Sequence, residues 1–356
     1  MAKAQVVGLQ AAVIKKGEFL YTQSLGKIRS DAQRQVNDST LFMVASVSKP
    51  VTALTVLMAI DEFGLSLDDD INSYLPKRIV NPNFPDASLT FRNLLTHTST
   101  IKDNWRVLDS LYTLPKGGDS KWSLEEYVYA NLHHDGLFYE GGVSFENAKP
   151  SEHWQYANTG YALLGLLVET ISKKPFNIYC REKIFQPLGM NDSYWFLAGI
   201  PHDNIAHPHE IKEEGHEVLP HYGYPTYPDG QLRTTATDYS QFVRLILNRG
   251  VWESKQLLSQ SLMEEFLKVQ YPKTNKWQAI AWNYNEFENF IFYLHFPRLP
   301  AHTGGDPGVT TGVMLDPETQ GAVLLFLNTR LNNFKGVKAM YLDVFKRLSK
   351  EAGMLR

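Results

Sequence analysis

The chain has 356 residues, 43% of them hydrophobic and 12% aromatic, which is enough for one large or two small packed domains. Its 35 basic and 38 acidic residues leave a net charge of -3 with no basic field, which excludes a reader of the phosphate backbone and makes nucleic acid an unexpected partner. The one cysteine, Cys180, permits no intrachain disulfide, and the best apolar runs, 53–60 and 162–168, are far shorter than the ~18–20 residues of a membrane span.

Alternating apolar positions predict a hairpin from residues 6–14 and 19–24 around Lys15-Lys16-Gly17. Lys3 and the run after it fit a strand better than a leader, so the chain reads as cytoplasmic, exported only if a leader has been removed. A long amphipathic helix is expected over 46–63, with Val51, Leu54, Leu57, Met58 and Ile60 as its apolar stripe, Pro50 near its first turn and Gly64 as its stop. Residues 70–190 read as mostly helical, at 90–96, 123–132, 159–172 and 176–185.

Beyond 205 the pattern predicts a polar hairpin (205–211 and 216–219) and helices near 236–249 and 258–270. Strands are expected at 277–282, 290–295, 309–315 and 322–327, and a closing helix near 333–350. Hairpins at both ends imply one antiparallel sheet assembled from the two termini and flanked by helices, with a mostly helical insertion, an α/β (α+β) fold. The expected division is a sheet domain at 1–70 and 190–356 and a helical domain at 71–189, with the site in the cleft between them.

Three short segments carry chemistry. Ser46-Val47-Ser48-Lys49 places a serine and a lysine three apart on a helix, hence on one face, where the amine can activate a poor nucleophile. At a helix start the Ser46 N-H is also free to face an oxyanion. Ser24 and Lys27 have the same spacing, but a strand ending at Gly26 would separate them.

Tyr156-Ala157-Asn158 enters the helix at 159, so its phenol can face a cleft and act as a base if the Lys49 charge depresses its pKa. The same triplet at Tyr129 lies inside a helix and reads as packing. In His302-Thr303-Gly304-Gly305, between two strand-like runs, the glycines allow close backbone approach, and Gly305 N-H can complete an oxyanion hole.

In order, these elements resemble the serine β-lactamase and penicillin-binding-protein superfamily, in particular its class C β-lactamase, esterase and D-aminopeptidase branch. The likeness extends through Leu41 to Pro50, Leu94-Leu95-Thr96-His97-Thr98-Ser99, Pro187-Leu188-Gly189-Met190 and Leu232 to Asp238. The resemblance implies a β-lactamase/transpeptidase-like fold and an acyl-enzyme on Ser46, with Lys49 and Tyr156 sharing the proton traffic. It further implies an oxyanion hole of Ser46 and Gly305 N-H groups, and substrate contacts from Asn158, His302, Thr303 and Gly304. No cofactor or metal is implied.

Relatives of the lactamase type usually have Lys at the His302 position. A neutral imidazole there argues against β-lactams and for uncharged esters or amides. The expected activity is serine hydrolysis of a small-molecule or peptide acyl substrate. The alternatives are acyl transfer or peptide cyclisation, a D-amino-acid peptidase or amidase, a weak β-lactamase, or a receptor that retains the fold.

His202, His207, His209, His216 and His221 fall close together among glutamates, but their spacing matches an exposed hairpin better than a metal site. No Gly-x-Ser-x-Gly elbow occurs. Trp105, Tyr112, Trp122, Phe138, Tyr139, Trp154, Tyr222, Tyr224 and Tyr227 are candidates for the cleft rim, and Gly117-Gly118 and Gly141-Gly142 for mobile loops over it.

Overall fold

The computed structural model describes residues 1–287 and 298–355. The first hairpin joins β1 (Gly8–Lys15) to β2 (Glu18–Gly26) through Lys16 and Gly17, both at positive φ, the geometry that matches strand twist in a two-residue turn. From the C-terminal part come β3 (Ala301–Asp306), β4 (Val309–Asp316) and β5 (Gly321–Leu327). The sheet order is β3-β4-β5-β1-β2, antiparallel throughout, with Leu9 opposite Leu327 and Ile14 opposite Ala322. The two ends of the chain therefore pair with each other inside the sheet, and among the described residues β3 is the edge strand, with an isolated bridge from Asn283 to Ala301 on its outer side.

Side-chain alternation divides the interior in two. Ala12, Ile14, Val313 and Leu324 face one core, while Ala11, Val13, Val323 and Leu325 face another completed by Met340, Tyr341 and Phe345. The first core also holds α1 (Ser48–Phe63), α2 (Asn158–Ser172) and α3 (Ala236–Leu247). The expectation of a single apolar stripe on α1 is corrected: every residue from Ser48 to Ile60 is buried, because helices cover it on all sides. Gly64 ends it in the left-handed conformation, its N-H bonding Ile60 O.

From 71 to 189 the described elements are helical, and their side chains share the core of α1. Two of these helices begin with capping boxes, Thr90 with Asn93 and Ser123 with Glu126. No helix among the described residues is long and apolar enough to cross a membrane.

Three expectations change. Residues 277–282 form no strand: Ala281 takes φ 57, its N-H bonds Leu95 O, and Ala279 N-H bonds Trp282 O, so the apolar run is a tight loop burying Ile280 and Trp282. The hairpin after 205 is limited to His209–Ile211 and His216–Val218 and is not wholly exposed. His209 is buried, with Ser30 N-H donating to Nε2 and Nδ1 lying 2.8 Å from Asn328 O, while the His207 and His221 rings stack at 4.0 Å. Gly117 N-H and Gly118 N-H bond Thr113 O and His221 O, which ties that loop down. The strand expected at 290–295 lies outside the described residues.

Candidate active site

Ser46 does not start the α-helix itself. It occupies a 3-10 turn, Ala45–Val47, that leads into α1 at Ser48, and as a first-turn residue its N-H has no helical acceptor. Ala45 holds φ 48, an unusual conformation for a residue with a Cβ, and the surroundings fix it. Val44 N-H bonds Leu232 O, Thr311 donates to Val44 O at 2.7 Å, and Tyr239 donates to Val47 O at 2.8 Å.

The segment 302–305 is part of β3 rather than a connection between strands. A Cβ on Gly304 would lie 2.2 Å from Thr311 Oγ1 and 2.7 Å from Val44 O, so glycine lets the strand lie against the turn that holds Ser46. A Cβ on Gly305 would meet none of the described residues within 4 Å. Pairing parity along β3 directs the N-H groups of 301, 303 and 305 away from β4: Ala301 N-H bonds Asn283 O and Thr303 N-H bonds Glu286. Gly305 N-H thus projects from the outer edge of β3, and Gly305 and Ser46 border the same cavities.

Lys49 is fully buried, with Nζ 3.3 Å from Ser46 Oγ. Nζ donates to Asn158 Oδ1 at 2.8 Å and to Asp229 O at 2.9 Å, and Asp229 Oδ1 lies 3.7 Å away. Burial lowers the Lys49 pKa, while Asp229, Asp103 and Asp306 resist that shift. The amine is therefore easier to deprotonate than an exposed lysine.

Tyr156 precedes α2 on a loop, as its position predicts, and the Lys49 ammonium lies 4.8 Å from its ring centre. Its phenol is not lowered: burial raises it well above 10, against the smaller effect of a hydrogen bond with Ser46. The expectation of a depressed phenol pKa is thus corrected, and Tyr156 is a neutral hydroxyl near neutral pH. Buried His97 stacks on the Tyr156 ring at 4.4 Å and accepts Ala157 N-H on Nδ1, while its carbonyl accepts Gln155 N-H. Burial lowers His97 well below 6.5, so it acts as a neutral clamp on the loop.

The residue before α2, Ala157, has no side chain able to cap it. Asp103 supplies the cap from another loop, accepting Asn158 N-H, Thr159 N-H, Thr159 Oγ1-H and Asn158 Nδ2-H at 2.8–3.0 Å. Burial raises the Asp103 pKa and those bonds oppose the rise.

His302 is buried and lowered to about 3 by burial and the Lys49 charge, so its ring is neutral. Thr303 presents no free hydroxyl, since both its N-H and Oγ1-H donate to Glu286, itself raised by burial.

Two cavities flank Ser46. The larger, about 450 Å³, is lined by Trp105, Asp109, Tyr112, Tyr224, Asp229 and Asp306 among others. The smaller, about 280 Å³, is lined by His97, Trp154, Tyr156, Glu286, His302 and Thr303. Ser46 and Gly305 border both, and Asn158 borders the larger. Of the aromatic rim candidates, Trp105, Tyr112, Tyr224 and Trp154 line these cavities. Tyr222 is buried and donates to Pro307 O, Tyr227 packs with Phe176, Trp195 and Phe196, and Trp122 with Phe138.

Both look-alike segments fall elsewhere: Ser24 is in β2 bonded to Asp38, and Tyr129 is buried in the helix Leu124–Leu132. Asp103, Asp229 and Glu286 were not foreseen from sequence. Single carboxylates on loops have no local signature, whereas His97 stood in a segment already quoted for the resemblance.

Penicillin-binding protein 4* of Bacillus subtilis (strain 168) is 25% identical over 324 residues, covering 83% of this chain and 62% of its own length. The chain spans about three-fifths of the length of the curated relatives it matches. The octameric penicillin-binding protein homologue from Pyrococcus abyssi aligns with a TM-score of 0.75 at 24% identity, over 99% of this chain and 76% of that one. EstCE1, described as a hydrolase with promiscuous acyltransferase activity, gives 0.74 at 16% identity, over 99% and 94%. The β-lactamase family model matches residues 1–345, and the chain belongs to that family, within the serine β-lactamase and penicillin-binding-protein superfamily.

Proposed function

We propose that the chain is a serine hydrolase that cleaves an ester or amide through an acyl-enzyme at Ser46, in the cleft between a sheet domain (1–70 and 190–356) and a helical domain (71–189). The observation that carries this reading is the fully buried Lys49 amine, 3.3 Å from Ser46 Oγ and lowered by burial. Lys49 takes the Ser46 proton as Oγ bonds the acyl carbon. The tetrahedral oxygen accepts the N-H groups of Ser46 and Gly305. Tyr156, a neutral phenol beside Ser46, gives its proton to the leaving group as the scissile bond breaks and regains one from Lys49. Water then attacks the acyl carbon, and the same groups return the proton to Ser46.

Neutral His302, and Thr303 occupied by Glu286, support esters or amides that lack a carboxylate over β-lactams. Intact mass after incubation with p-nitrophenyl esters should show one acyl adduct, absent from Ser46→Ala. Rapid nitrocefin hydrolysis without ester turnover overturns the reading. Added amines or alcohols that appear in the products would reassign the second step to acyl transfer.

A further inference from the structure

The larger cavity is more acidic than acylation requires. Asp306, the last residue of β3, is 8% exposed and receives a hydrogen bond from Tyr112 at 3.1 Å, with the Tyr222 and Tyr224 hydroxyls also favouring its charged form. Asp229 is 6% exposed. Among the described residues its Oδ2 has no partner in good hydrogen-bond geometry, and the Thr226 hydroxyl beside it only helps to favour the charged form. Asp109 adds an exposed carboxylate to the wall. The cationic lining residue Arg330 is half-exposed and lies 3.9 Å from Glu210.

A buried carboxylate oxygen without a partner is costly unless a ligand supplies one. Burial has pushed Asp306 up to about 7 and Asp229 up to about 6, and a cation between them would favour both charged forms. The stacked Tyr112 and Tyr224 rings, 4.5 Å apart, and Trp105 at the mouth provide π faces for the same charge.

The site's layout decides which part of the substrate enters. Tyr156, the proton donor to the leaving group, lines the smaller cavity, so the departing half lies there and the acyl half extends into the larger one. We propose that the larger cavity is an acyl-group subsite selecting acyl chains that end in a cationic amino group, with Asp306 and Asp229 as its counter-charges. The proposal rests on the acyl-enzyme reading above and specifies its substrate class.

The test compares two esters of equal shape, p-nitrophenyl 6-aminohexanoate and p-nitrophenyl heptanoate, at pH 8. The expected kcat/KM ratio is at least tenfold in favour of the cation. Within Asp306→Asn and within Asp229→Asn that ratio should fall at least fivefold, with folding checked by circular dichroism. Equal turnover of the two esters by the unaltered protein, or an unchanged ratio in both folded variants, overturns the subsite alone. Absence of a Ser46 adduct from either ester overturns the acyl-enzyme reading and the subsite with it.

Discussion

Asn158 Nδ2 donates to Asp103 Oδ2 at 3.0 Å, and this contact determines that the other end of the amide, Oδ1, faces Lys49 at 2.8 Å. The same carboxylate caps α2, so one residue from a distant loop sets both a helix start and the environment of the buried amine.

Asp103→Ala should therefore affect stability and catalysis together. Loss of a cap costs about 1–2 kcal/mol, and freedom of the Asn158 amide should lower kcat/KM at least tenfold. Thermal denaturation alongside ester kinetics checks this; a folded variant with full activity would show that Asn158 is oriented by something else.

Removing the amine itself should be more severe. Lys49→Met is expected to slow acylation by ~10²- to 10⁴-fold, the usual range for a general base. In the unaltered protein the acid limb of kcat/KM should have its midpoint below the ordinary lysine value of 10.5, because burial lowers Lys49. Asp229 is the largest influence raising it, so Asp229→Asn should move that limb to lower pH. A limb that moves upward would contradict the assignment of Lys49 as the base.

Asp306 should make the fold less stable at neutral pH than in acid. Its folded pKa is about 7 against 3.8 for the free group, so the folded protein binds more protons between those values, and stability falls as pH rises through that window. Asp306→Asn should then gain on the order of 2–4 kcal/mol relative to the unaltered protein at pH 8 and little at pH 4. Urea unfolding at both pH values reads the difference directly.

His302→Lys alone should not confer β-lactam turnover, since Glu286 lines the same smaller cavity and already holds Thr303. Combined with Glu286→Gln, the ammonium is left to a substrate carboxylate, and nitrocefin kcat/KM should rise about tenfold, equivalent to ~1.4 kcal/mol. Equal rates for the single and double variants would remove Glu286 from the argument.

The adjacent glycines should respond differently to the same change. Gly304→Ala forces a methyl into Thr311 and the Val44 carbonyl, an overpacking worth about 1–3 kcal/mol that also displaces the Ser46 turn. Gly305→Ala meets none of the described residues within 4 Å and retains its N-H, so its melting temperature should stay close to that of the unaltered protein.

Local pattern was enough for much of this protein. Apolar or alternating runs bounded by turn residues located the terminal hairpin and β4 and β5, because such runs are written in neighbouring residues. Ser46 and Lys49 were legible because three residues along a helix fix their proximity, and Tyr156 because the helix after it begins where its sequence says. Apolar content alone misled at 277–282, where burial was read as extension. Tertiary structure decided what depends on distant segments: the edge position of β3 that frees Gly305 N-H, the burial that lowers Lys49 and raises Tyr156, and the arrival of Asp103, Asp229 and Glu286 from separate loops. Desolvation and non-local hydrogen bonds depend on the whole packed chain, so no short stretch of sequence carries them.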